Sequence, residues 1–208
     1  MELFRRSARL SEDFVDAVRA GSTQLTSRLL SDGADPNHAD KDGKTPLCWA
    51  SWKGRSEVAA ILLEKGADPN LADKEGYTAL YCAAVNGHAD VTALLLEKGA
   101  DSNLANNDGA SPLYLASKFG HREVAALLLE KGANPYQTDK DGKTLLHWVL
   151  KNDRKEVAEL LHACGFIDNK VALKERPEWQ FLKKLRSVGM RFLLSWIALF
   201  HSRLPNFN

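Results

Sequence analysis

The chain has 208 residues, 44% hydrophobic and 26% charged, with 28 Lys and Arg against 27 Asp and Glu. That is enough apolar side chain to bury a core, which excludes a disordered chain, and a net charge of +1 argues against a dedicated nucleic-acid binder. Cys48, Cys82 and Cys164 are too few and too scattered for a disulfide scaffold and point to a reducing, cytoplasmic setting. The opening residues, MELFRRSARLSEDF, lack the apolar stretch of a signal peptide. The longest nearly apolar run, Phe192 to Phe200, has 9 residues, whereas a spanning helix needs about 20.

Internal repetition dominates the chain. Gly43, Gly76, Gly109 and Gly142 are 33 residues apart, as are Gly21, Gly54, Gly87 and Gly120, and as are Gly33, Gly66, Gly99, Gly132 and Gly165. These three ladders hold 13 of the 14 glycines, so the period is the organising feature of the sequence. Within residues 41–73, Asp42-Gly43 marks a turn tip and Thr45-Pro46 reads as an N-cap followed by the first helical residue. Leu47, Trp49 and Ala50 give that helix a short apolar face, and Gly54 suits a left-handed cap. A second helix is predicted from about Ser56 to Lys65, closed by Gly66, with Ala67-Asp68-Pro69-Asn70 as turn chemistry. Helices this short fall below the roughly 12–15 residues needed for independent stability in water. Stacking of one pair on the next must hold them, which defines a solenoid.

The chain resembles the ankyrin-repeat family. The matching residues are Thr45-Pro46-Leu47 with Ala50, Thr78-Ala79-Leu80 with Ala83, Ser111-Pro112-Leu113 with Ala116, and Thr144-Leu145-Leu146-His147. In the second half of the unit they are Val58, Leu62-Leu63 and Gly66-Ala67-Asp68-Pro69-Asn70, with equivalents at Val91, Val124 and Val157. The resemblance implies an all-α solenoid of paired short helices with projecting turns. It spans about residues 11–168 as five repeats: 11–40, 41–73, 74–106, 107–139 and 140–168. Residues 1–10 are set apart as an N-terminal extension and 169–208 as a basic amphipathic C-terminal helical segment. The usual His after Pro-Leu is Cys48, Tyr81 and Tyr114 here, and only His147 keeps it. The fifth repeat departs further, with Val149 for Ala and Asp153 for Gly.

Catalytic chemistry is not indicated. His88 and His121 recur at one repeat position, which fits a structural role, and Cys48 and Cys82 are small buried-type residues of first helices. His162 and Cys164 lie on different helix faces. The carboxylates Asp42, Glu75, Asp108 and Asp141 recur with the turns and do not form an acid/base pair. No phosphate loop, nucleophile elbow or metal-ligand spacing is present, so no cofactor, metal or enzymatic activity is expected.

The resemblance implies binding at the turn tips and the exposed side of the first helices, the concave face. In this sequence the tips supply Lys41, Lys44, Lys74, Tyr77, Lys140 and Lys143. The first helices supply Trp52, Lys53, Asn86, Lys118, Phe119 and Lys151. Trp52, Tyr77 and Phe119 are expected to be exposed interface anchors. Eight lysines against the four tip acids make the face net +4, which predicts a protein partner with an acidic surface and apolar anchors. The chain is expected to be a monomer by itself.

The C-terminal segment, from residue 170, carries 8 Lys and Arg against 2 Asp and Glu, whereas residues 1–169 carry 20 against 25. Phe181, Leu185, Phe192 and Trp196 recur at helical spacing, with Lys183, Lys184, Arg186 and Arg191 between them. Three readings stand side by side: a cap over the last repeat, a helix lying on an anionic membrane, or a helix docking in a partner's groove. Leu182 to Leu185, Met190-Arg191 and Leu204-Pro205 are weakly similar to the suppressor-of-cytokine-signalling box, which recruits ubiquitin-ligase subunits, although Arg186 stands at its key Cys position. The chain thus reads as a non-catalytic interaction module, or alternatively as an adaptor whose tail tethers it to a second partner or a membrane surface.

Overall fold

The structure, a computed structural model, describes residues 2–166, with side chains from Arg9 onward. The tail residues Phe181, Leu185, Phe192 and Trp196, and the box-like segment around them, lie outside the described residues. The chain divides into two compact units, Met1–Val157 and Ala158–Asn208.

The described residues form ten α-helices and no strand: α1 (Glu2–Ala20), α2 (Thr23–Ser31), α3 (Pro46–Trp52), α4 (Ser56–Glu64), α5 (Ala79–Asn86), α6 (Ala89–Glu97), α7 (Pro112–Phe119), α8 (Arg122–Glu130), α9 (Leu145–Lys151) and α10 (Lys155–Ala163). The first helix takes in residues 2–10, which the sequence pattern set apart as an extension. No helix among the described residues is long and apolar enough to cross a membrane.

Each odd-numbered helix after the first begins as its sequence dictates. Thr45, Thr78, Ser111 and Thr144 sit in extended backbone, and each hydroxyl accepts a bond from the N–H three residues on, at 3.2–3.3 Å. Such a cap is worth about 1 kcal/mol. Pro46 and Pro112 occupy first-turn positions where no N–H is needed. In the first unit α1, α3, α5, α7 and α9 pack in one row, and α2, α4, α6 and α8 in another.

The core is a stack of equivalent residues. Leu47, Leu80 and Leu113 from the first row, and Val58, Val91, Val124, Leu62, Leu95 and Leu128 from the second, are all fully buried. At about 1.5–3 kcal/mol for each buried aliphatic side chain, this stack is the main stabilising term. α1 closes the N-terminal end of the first unit with buried Phe14 and Val18.

One ladder of glycines meets a specific neighbour. At Gly54 and Gly87 the backbone is left-handed, with φ +65° and +74°, and the imidazole of the next helix pair lies against the α-carbon. An added Cβ would fall 2.7 Å from His88 and 2.5 Å from His121. Each imidazole donates from Nε2 to a carbonyl of the preceding pair, His88 to Trp52 at 3.2 Å and His121 to Val85 at 3.1 Å. Since a carbonyl only accepts, Nε2 must carry the proton. Arg154 does the same job beside Gly120, donating from Nε to Lys118 O at 3.1 Å. The structural role expected of His88 and His121 is therefore met by these bonds. Asp153, where the other repeats have glycine, takes φ +50°, a conformation that Asp tolerates better than most residues.

On the second-helix side, Asn side chains tie successive turns together. Asn70 donates to Gly99 O at 3.2 Å and accepts from Asp101 N at 2.8 Å. Asn37 makes the same pair of bonds one repeat earlier, to Gly66 O and from Asp68 N.

Candidate functional site

The projecting turns are built by one carboxylate or amide in each repeat. Asp40, Asp73, Asn106 and Asp139 each accept, through one oxygen, the backbone N–H groups two and four residues on, at 2.8–3.1 Å. Neighbouring turns are stitched by Lys74 N to Asp42 O, Asn107 N to Glu75 O, and Lys140 N to Asp108 O, at 2.8–3.2 Å. The tip residues therefore stand on a backbone fixed from both sides.

Beneath the turns lies a small apolar cluster. Tyr81, Ala110, Tyr114 and Leu115 are buried, with Tyr77, Val85 and Trp148 packed against them. Tyr77 and Tyr81 stack with centroids 4.3 Å apart, and Tyr114 meets Trp148 edge-on at 6.4 Å. The tyrosines that replace the family's His bond to the next turn. Tyr81 accepts from Asn106 Nδ2 at 3.4 Å, and Tyr114 donates to Asp139 Oδ2 at 2.7 Å. The same Oδ2 receives Trp148 Nε1 at 3.3 Å. These bonds, the Tyr114 hydroxyl first among them, lower the Asp139 carboxyl to about 2. Burial, with the bond to Asp139, pushes the Tyr114 phenol up, so it stays a donor. The cluster and its polar rim enclose an open pocket of about 240 Å³.

The sequence-predicted site residues separate into two groups. Lys41, Lys44, Lys74, Tyr77, Lys140 and Lys143 lie on the turns. Trp52, Lys53, Asn86, Lys118, Phe119 and Lys151 lie at the C-terminal ends of α3, α5, α7 and α9. A helix of seven or eight residues spans about 10–12 Å, so the two groups start from opposite ends of a helix, yet the ammonium groups of Lys118, Lys143 and Lys151 converge on the Trp148 ring. Trp52 and Phe119 are exposed, 41% and 44%. Tyr77, expected to be exposed, is half-buried because it leans on Tyr81. Three of the lysines have internal partners: Lys74 bonds Lys41 O, Lys140 pairs with Asp108, and Lys143 pairs with Asp141. Asn86 donates to Cys82 O in its own helix.

Two tryptophans that shape this face were not among the site residues expected from the sequence. Trp49, read as core, is half-buried, donates to Asp40 Oδ2 at 3.1 Å, and lies under the Arg19 guanidinium at 3.8 Å. Trp148 lies under Lys118, Lys143 and Lys151. Only the fold reveals that Asp40 and Asp139, nine residues upstream, receive the two indoles. Cys48 and Cys82 are buried as expected, and the contact with Cys48, together with burial, pushes the Cys82 thiol up. No group of three metal-ligating side chains occurs among the described residues.

Stacked helix pairs, capped first helices and hydrogen-bonded projecting turns define a helical repeat protein of the ankyrin type. The family model described as ankyrin repeats (3 copies) matches residues 14–73, 67–139 and 101–172, and the chain belongs to that family. A comparison with curated proteins returns no match. Ankyrin repeats are generally protein–protein interaction modules, and the family is typically non-catalytic.

Proposed function

We propose that the protein is a non-catalytic recognition module that binds another protein through the concave face formed by the turn tips and the first helices. The observation that carries this reading is a set of solvent-facing lysines and aromatics held on a backbone that is already fixed. Trp52, Lys53, Phe119 and Lys151 are exposed, while the turns beside them are tied by inter-repeat bonds. A surface ordered before the partner arrives loses little entropy on binding. Exposed aromatics supply buried contact area, and the lysines attract an acidic partner and speed its encounter.

The test is affinity capture with the intact chain, a Lys44→Glu, Lys53→Glu, Lys118→Glu variant, and a Trp52→Ala, Phe119→Ala variant, each checked for native helicity. Proteins retained by the intact chain should be lost from both variants, and their retention should fall as salt rises. Equal recovery on all three proteins would put binding elsewhere on the molecule.

A further inference from the structure

Trp49 and Trp148 hold the same place in their helices, four residues after Thr45 and Thr144. Each donates its indole N–H to the carboxylate nine residues upstream. Their surroundings differ. Over Trp49 lie Arg19 at 3.8 Å and Lys44 at 5.1 Å from the ring centroid. Arg19 is neutralised by Asp16 at 3.7 Å and Asp40 at 3.8 Å.

Over Trp148 stand three ammonium groups, Lys118 at 4.5 Å, Lys151 at 4.7 Å and Lys143 at 5.3 Å. Lys143 pairs with Asp141 at 3.3 Å. Asp139 is committed to the indole, the Tyr114 hydroxyl and two backbone N–H groups. Lys118 and Lys151 make no salt bridge among the described residues. The indole is thus already flanked by cations, which disfavours a cationic ligand. An anion seated against Lys118 and Lys151 would relieve their mutual repulsion.

The pocket adjoins this cation cluster. Tyr77, Tyr81, Tyr114, Leu115 and Trp148 form its apolar walls, and Lys118, Lys140, Asp108, Asp139 and Asp141 line it too. Asp108 is paired with Lys140, Asp141 with Lys143, and Asp139 accepts from Tyr114 and Trp148, so Lys118 is the lining charge without a counter-ion among the described residues. At about 240 Å³ it is smaller than the roughly 300–1,000 Å³ of small-molecule sites. That size suits one bulky side chain better than a free metabolite.

We infer that this end of the face takes an extended acidic segment of a partner protein. One bulky apolar side chain enters the Tyr77–Tyr114–Trp148 pocket, and a neighbouring carboxylate seats against Lys118 and Lys151. The inference rests on the protein-binding reading above and narrows it to a site and a partner chemistry.

The probe is a fluorescein-labelled, glutamate-rich peptide with one central phenylalanine, titrated with the full chain and followed by anisotropy. Two matched peptides carry alanine for the phenylalanine or lysine for the glutamates. The first peptide should bind at least about tenfold tighter than either control, a difference of about 1.4 kcal/mol. The Lys118→Glu, Lys151→Glu variant should weaken it by at least about tenfold and flatten its salt dependence. Both side chains reach solvent, so native helicity is expected, and Lys151→Gln provides a milder second variant with a smaller loss in the same direction. The Lys65→Glu, Lys98→Glu variant, altered at second-helix ends, should bind as the native chain does. Equal binding of the phenylalanine and alanine peptides, or indifference to Lys118 and Lys151, overturns the proposal. If no peptide binds while Trp52, Lys53 and Phe119 substitutions still abolish protein capture, the acidic-segment proposal alone fails. If those substitutions also change nothing, the concave-face reading fails with it.

Discussion

Replacing Gly87 by alanine probes the joint between two repeats directly. Two costs combine at that position. A left-handed backbone, here φ +74°, costs an alanine about 1 kcal/mol. The new methyl would stand 2.5 Å from His121 Nδ1 and 2.8 Å from Cε1, so the imidazole must move. Moving it breaks the bond to Val85 O at 3.1 Å, a loss of about 1 kcal/mol. The expected total is about 2 kcal/mol, or about 4–8 °C in melting temperature for a chain of this size. Gly99 is the internal control. Its φ is +86° and nothing lies within 4 Å of a Cβ there, so Gly99→Ala carries only the backbone cost, about 2–4 °C. Thermal unfolding followed by circular dichroism compares the two. His121→Ala completes a double-mutant cycle, in which the Gly87→Ala and His121→Ala changes should couple by about 1 kcal/mol. Equal melting of the Gly87 and Gly99 variants, with no coupling to His121, would refute the packing argument.

Tyr81→Phe removes a long neutral bond and should cost under about 1 kcal/mol in urea unfolding; Tyr114→Phe removes a bond to a carboxylate and should cost more. The folded-state carboxyl of Asp139 lies at about 2, below its ordinary 3.8, so its contribution is fully present above about pH 4 and is lost as pH falls toward 2. A melting-temperature profile over that window should be steeper for the native chain than for Asp139→Asn, which copies the Asn106 of the preceding repeat; superimposable profiles would contradict this. Asn70→Ala leaves Gly99 O and Asp101 N to water and should cost about 1–2 kcal/mol, measured by thermal unfolding, with Asn70→Asp recovering part of it through the retained acceptor.

The fold was legible in the sequence because its requirements are local. A left-handed residue every 33 positions demands glycine, and a helix start demands Thr or Ser. The periodic leucines and valines report burial in the same way. The face was legible only in outline. Exposure of Trp52 and Phe119 follows from their places at helix ends, but Tyr77 folds back onto Tyr81 across one helical turn's start. Trp49 reads as core because an indole is large and apolar. Its orientation is set by Asp40, and the charge around it by Arg19 from α1. Trp148 draws Lys118 from another repeat, 30 residues away. Such pairings depend on the superposition of repeats and leave no pattern within any one of them.

Zero-length carbodiimide cross-linking tests the central claim most directly, because it joins a lysine only to a carboxylate that touches it. With a protein captured by the intact chain, the account predicts cross-links from Lys53, Lys118 and Lys151 to the partner's acidic residues. Cross-links confined to Lys65, Lys98 and Lys131, the exposed lysines that cap the second helices, would contradict it.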